Sequence, residues 1–252
     1  MSSSTKVVPV LHPNMHPKTA STPAKSTSII SDEYIPLRIP KWLRRPVQTD
    51  KSYSETHNAL KKNGLHTVCE DAKCPNRHEC WNHGTATIMI LGNICTRACR
   101  FCSILTGRPE GLDTDEPSRV ADAVEKMNLK HVVITSVTRD DLRDGGAEIF
   151  AQTIERVKER MPKITVEVLT PDFWGRKENL YRVLDAGPIV FNHNIETVKR
   201  LQRSIRSGAT YNRSMKILKL ASEHSNIKVK SGIMVGLGES KNEVMELSLI
   251  HI

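Results

Sequence analysis

The chain has 252 residues, of which 38% are hydrophobic and 26% charged, the profile of a soluble globular protein able to bury a sizeable core. Its longest apolar runs, "HVVITSV" and "SGIMVGLG", fall short of the roughly 20 residues that span a bilayer, so no membrane segment is expected. The formal charge of +9 is uneven: residues 1–47 hold seven Lys/Arg against Asp32 and Glu33, while the remaining 205 residues hold 30 basic and 26 acidic side chains. A near-balanced body with 4% aromatics argues against a nucleic-acid surface spread over the fold.

Residues 1–30 contain no acidic side chain and are rich in Ser, Thr and Pro. The absence of Arg and the prolines oppose a transit-peptide helix, so residues 1–36 are expected to form a disordered basic tail. "SYSETHNALKKNGL" predicts a short helix closed by Gly64, and residues 66–84 a cysteine-bearing loop.

From there the pattern alternates. "ATIMILG" (86–92) predicts a strand buried on both faces. A helix over 117–127 follows, with Pro117 in its first turn. "HVVITSV" (131–137) is a second strand. The helix over 146–161 presents Ile149, Phe150, Ile154 and Val157 on one face. Next come a strand (164–170), a helix (178–186), a strand (188–193), helices over 195–202 and 211–224, a fifth strand (227–236) and a helix from 241. Strands alternating with helices imply a parallel α/β sheet, either an open sheet or a barrel. In a barrel, loops at the carboxyl ends of the strands carry the site.

All six cysteines lie between residues 69 and 102. Three disulfides in so short a window of a chain this size are not expected; metal or redox chemistry is. The thiols form two triplets, Cys69, Cys74 and Cys80 (C-x4-C-x5-C) and Cys95, Cys99 and Cys102 (C-x3-C-x2-C). Zinc prefers four N/S ligands and would need His66, His78 or His83 to complete a set. A four-iron cluster prefers thiolates, and three of them leave one iron free for a substrate or cosubstrate. Both readings stand on spacing alone.

"CTRACRFC" resembles the cluster motif of radical S-adenosylmethionine (SAM) enzymes. With "CEDAKCPNRHECW", "TSVTRDDLRDGGA", "EVLTPDF", "FNHNIETV" and "SGIMVGLGE", the chain is similar to the lipoyl synthase family from residue 37 to about 240. The resemblance implies a partial (β/α)6 TIM-like barrel over residues 85–252, with a cysteine-bearing N-terminal extension over 37–84. It implies two [4Fe–4S] clusters. Cys95, Cys99 and Cys102 would hold the one whose open iron binds SAM; Cys69, Cys74 and Cys80 would hold an auxiliary cluster that donates sulfur. The implied reaction is radical insertion of two sulfur atoms at C6 and C8 of an octanoyl group carried on a protein. Implied partners are octanoylated lipoyl carrier domains (glycine cleavage H protein, 2-oxoacid dehydrogenase E2) and a ferredoxin- or flavodoxin-type electron donor, in a bacterial cytoplasm or, alternatively, a mitochondrion or plastid.

Ser136, Thr138, Asn194, Glu196 and Arg206 occupy positions that suit SAM contacts. Each has a plainer reading: turn chemistry for Ser136 and Thr138, with Asp144 capping the next helix; an Asn194 cap and a first-turn Glu196 for a helix over 195–202; and a solvated Arg206. Asp140 and Asp141 are expected to order their loop. After residue 240 the match to the family's sixth strand and its Arg-Ser-Ser-Tyr segment stops, so the chain is expected to be C-terminally truncated, with sulfur insertion impaired before SAM cleavage. Another radical SAM enzyme with an auxiliary cluster, an inactive remnant and a zinc module are the alternatives.

Overall fold

A computed structural model describes residues 66–71, 74, 76–224 and 227–251. The tail over 1–36, the helix expected within 52–65 and the basic segment "RIPKWLRRP" lie outside the described residues, and the 37–84 extension is described only from residue 66.

The loop expected over 66–84 is instead folded. It contains strand β1 (His66–Thr67) and helices α1 (Val68–Asp71) and α2 (Arg77–Asn82). The anchors are Trp81, 1% exposed, and the antiparallel pairing of His66 with Met89 and Thr67 with Ile88. Neither is visible in a cysteine count.

Strand β2 (Thr85–Ile90) leads into a small two-stranded pair, β3 (Ile94–Cys95) and β4 (Leu105–Thr106). Helix α3 (Glu116–Lys126), strand β5 (His131–Ser136), helix α4 (Ala147–Arg160) and strand β6 (Thr165–Leu169) follow. A 3-10 turn (Phe173–Gly175), helix α5 (Lys177–Asp185) and strand β7 (Val190–Asn192) continue the alternation. A 3-10 turn (Lys199–Leu201) runs into helix α6 (Gln202–Ile205), then helix α7 (Tyr211–Glu223), strand β8 (Lys228–Lys230) and helix α8 (Lys241–His251).

The main sheet runs β1-β2-β5-β6-β7-β8, and every pairing after the first is parallel. Five parallel strands joined by helical crossovers give the α/β sheet that the alternation predicted and the partial barrel that the resemblance implied. Ile88, Ile134, Val168 and Phe191 of the strands share one buried cluster with Val120, Phe150, Ile154, Leu180 and Ile217 of the helices. The face predicted for 146–161 is correct, since Ile149, Phe150, Ile154 and Val157 are all buried. A carboxylate interrupts the apolar run of β6: Glu167 accepts from Lys230 of β8 at 2.9 Å and approaches His131 of β5 at 3.7 Å.

The helix expected over 195–202 begins later. Ile195–Val198 is not helical: the amides of Ile195 and Glu196 donate to the Gly232 carbonyl, and Glu196 bridges Ile233 with φ +67°. Backbone pairing with the segment after β8 takes these donors before a helix can. Asn194 therefore caps no helix, and Glu196 is not in a first turn. The fifth strand is correspondingly shorter than the predicted 227–236.

Candidate functional site

The C-x3-C-x2-C loop leaves the carboxyl end of β2 and is tied to the ends of the neighbouring strands. The Thr96 amide and hydroxyl both donate to the Thr138 carbonyl, at 3.0 and 2.9 Å, and Thr96 Oγ1 accepts from the Asp140 amide at 3.0 Å. The Arg100 amide donates to the carbonyl of Ile205 at the end of α6, and the Gly107 amide to Cys95. Cys95 Sγ accepts from the amides of Thr138 at 3.3 Å and Arg97 at 3.4 Å. These two contacts fix where the Cys95 sulfur points, as a cluster ligand requires.

Arg97 is the strongest tether. Its guanidinium bonds both carboxylate oxygens of Asp140, at 2.7 and 2.8 Å, and both of Asp172, at 3.0 and 2.8 Å. Asp172, fully buried after β6, also accepts from Arg213 at 3.2 Å. Burial opposes the Asp172 charge, yet these arginines hold its carboxyl below the usual carboxylate range. Both guanidiniums also lie near the Trp174 ring, 5.5 Å away for Arg97 and 4.8 Å for Arg213. The expectation that Asp140 and Asp141 order the loop is met, since Asp141 pairs with Arg139 at 2.8 Å.

The predicted site residues ring this loop. Ser136 ends β5, and its buried hydroxyl has no hydrogen-bond partner among the described residues. Thr138 contributes its backbone, while Asp144 accepts from the amides of Gly146 and Glu148, the turn chemistry that was the plainer reading. Asn194 and Glu196 follow β7 and bond each other; burial raises the Glu196 pKa, with Asn194 and Arg206 opposing. Arg206 is 8% exposed, which overturns the solvated reading. Its Nη1 donates to Ile195 O, Gln202 Oε1 and Ser214 Oγ, and among the described residues it makes no ion pair. A buried cation that feels the carboxylates of Glu196 and Asp172 but forms no contact ion pair with either among the described residues is suited to an anionic ligand.

The donor set suits clusters better than a single ion. All six cysteines are free. Cys99 lies close enough to Cys95 and Cys102 for the three to influence one another's charge, as Cys80 does with Cys69 and Cys74. Burial pushes the Cys99 thiol up to about 11, against the pull of Arg206, so bringing that sulfur to its thiolate needs a strong cationic partner. Yet no group of three His, Cys, Asp or Glu among the described residues converges on a single-ion site. The carboxyl ends of the strands also present buried polar atoms without hydrogen-bond partners among the described residues: Ser136 Oγ, Thr170 Oγ1, Asn192 Oδ1 and Ser231 Oγ. Buried polar groups are ordinarily satisfied, so this rim fits a polar cosubstrate.

Sequence reasoning missed Arg97, Asp172, His193 and Ser214. Arg97 stands inside the cysteine motif, which was the one available signal.

A half-barrel with a three-thiol loop at the carboxyl end of its first parallel strand defines a radical SAM enzyme. The radical SAM superfamily profile matches residues 89–248, and that of the N-terminal domain of lipoyl synthase matches residues 14–74. The chain is 54% identical to the lipoyl synthase of Geobacillus sp. (strain WCH70), over 83% of this chain and 71% of that one. It is 52% identical to the lipoyl synthases of Bacillus subtilis (strain 168), over 84% and 72%, and of Rubrobacter xylanophilus, over 84% and 69%. The fold is similar to that of methylornithine synthase, with a TM-score of 0.52 at 16% identity, over 79% of this chain and 56% of that one. The chain belongs to the lipoyl synthase family, sulfur-inserting radical SAM enzymes that use [4Fe–4S] clusters and act on lipoyl carrier proteins. Among the described residues no helix is long and apolar enough to cross a membrane.

Proposed function

We propose that Cys95, Cys99 and Cys102 hold the SAM-binding [4Fe–4S] cluster, and that Cys69, Cys74 and Cys80 hold the auxiliary one. The chemistry such clusters supply when bound is one electron for homolytic cleavage of SAM, and sulfur for new C–S bonds at C6 and C8 of an octanoyl chain. The chain's own residues hold and orient. The amides of Arg97 and Thr138 steady Cys95, and the two carboxylates on Arg97 fix the loop against the ends of β5 and β6. Arg206 receives the carboxylate of SAM, the reading carried by its burial without an ion pair. Asn194 and Glu196 contact the same cosubstrate, and Ser136 and Thr138 face it from the end of β5.

The carrier domains acted on are those of the glycine cleavage H protein and the 2-oxoacid dehydrogenase E2 subunits, with a ferredoxin- or flavodoxin-type donor supplying electrons in a bacterial cytoplasm. The test is anaerobic reconstitution followed by incubation with SAM, a strong reductant and an octanoylated carrier domain. 5′-Deoxyadenosine is expected, to be abolished in Cys95→Ala and retained in Cys69→Ala. Sulfur added to the carrier, read by mass, is expected to depend on both cysteines. A chain that carries no inorganic sulfide, or yields no deoxyadenosine, overturns the assignment.

A further inference from the structure

His193, the last residue before the segment that carries Asn194 and Glu196, is 1% exposed, and both of its ring nitrogens are engaged. Nδ1 lies 2.9 Å from the Thr170 carbonyl, and Nε2 lies 2.9 Å from Ser214 Oγ. A carbonyl only accepts, so Nδ1 carries the proton and Nε2 is an acceptor. The Ser214 hydroxyl must then donate to Nε2, which turns its lone pairs toward Arg206 Nη1 at 3.0 Å. Ser214 is fully buried on α7, so this direction of bonding has no competing water. The same Nη1 is held by the Ile195 carbonyl at 3.2 Å and Gln202 Oε1 at 3.3 Å. Gln202 is itself fixed by the carbonyls of Ile195 at 2.8 Å and Thr197 at 2.7 Å. All side-chain bonds of Arg206 among the described residues are thus gathered on one nitrogen, and the rest of the fork is left for a ligand.

We infer that His193 is a positioning residue: through Ser214 it sets the orientation in which Arg206 meets the carboxylate of the sulfonium cosubstrate. The inference rests on the assignment of Arg206 to that carboxylate. The relay joins the end of β6, the end of β7 and α7, so three elements fix one guanidinium. A neutral imidazole at this place adds no second positive charge beside Arg206. Burial, together with the nearby Arg206, keeps it neutral by depressing its pKa to about 4.

The test is a double-mutant cycle on the reconstituted protein. The readout is SAM affinity, taken from the change SAM causes in the electron paramagnetic resonance spectrum of the reduced protein. His193→Asn keeps a donor for Thr170 but is too short for Ser214; Ser214→Ala removes the link itself. Each is expected to weaken SAM binding roughly tenfold, raising KM with kcat at saturation unchanged. His193→Gln, which keeps an acceptor within reach of Ser214, is expected to recover most of the loss. In an Arg206→Met background neither change is expected to weaken binding further. Thermal midpoints of the metal-free variants report folding, and Ser214→Ala carries the test if His193→Asn fails to fold. Additive losses in the Arg206→Met background overturn the relay, as does unchanged SAM affinity in well-folded Ser214→Ala. Unchanged affinity in Arg206→Met alone overturns the underlying assignment, and that result is distinguishable from either.

Discussion

Arg97, two positions after the first cysteine of the tighter triplet, pairs through two parallel bonds with Asp172, 75 residues later in the chain. A second pair of bonds reaches Asp140, so the loop is pinned by one side chain to the ends of two strands. Removing one partner of such a pair leaves an uncompensated buried charge. Arg97→Ala and Asp172→Asn are expected to lower unfolding stability by about 3–5 kcal/mol. Arg97→Lys is expected to recover little, since an ammonium cannot serve two carboxylates as a planar fork does. Urea denaturation of the metal-free protein measures this; a Lys variant as stable as the parent would contradict it.

The imidazole of His193 gives the protein an acid-side weakness. Its folded pKa of about 4 lies below the ordinary 6.5, so the unfolded chain takes up a proton first as pH falls. The stability tied to the neutral ring is complete above about pH 6.5 and is lost progressively toward pH 4, by on the order of 3 kcal/mol. Arg206 and Arg97 face the ring and oppose its protonation, whereas Asp172 favours it. The difference in stability between the parent and His193→Gln is expected to slope across this window and to be flat above it. Unfolding curves at a series of pH values decide the matter.

Gly232 sits beneath Asn194. A Cβ at this position would lie 2.8 Å from Asn194 Oδ1, the movable end of a side chain. Gly232→Ala is therefore expected to leave the thermal midpoint nearly unchanged while displacing Asn194. SAM affinity should fall about tenfold, equivalent to about 1.4 kcal/mol. A large stability loss would show that the backbone, and not Asn194, absorbs the clash.

Iron and sulfide counts separate the two triplets. The reconstituted parent is expected to carry about eight irons per chain, falling to about four when Cys95, Cys99 and Cys102 are replaced by Ala, and likewise for Cys69, Cys74 and Cys80. Loss of all iron in either variant would indicate one shared centre.

The alternation of apolar runs with helical faces was legible from "ATIMILG" onward, because buried parallel strands and one-sided helices each leave a local period. Pro117 marked its helix start correctly for the same reason. The cysteine spacing was equally local. What escaped depends on residues far apart in the chain. The stretch after Asn194 has a helical composition, but its amides are taken by Gly232, 37 and 36 residues beyond Ile195 and Glu196. The partners of Arg97 lie 43 and 75 residues away. Arg206 is buried against Ile195, Gln202 and Ser214, and an arginine in a loop gives no hint of it. Folding of the first triplet's segment likewise depended on β1 finding β2.

That last pairing has a mechanical result. The segment bearing Cys69 is laced by backbone bonds to β2, the strand after which the loop bearing Cys95 begins. A change that loosens β2 therefore reaches the anchorage of both groups of thiols at once.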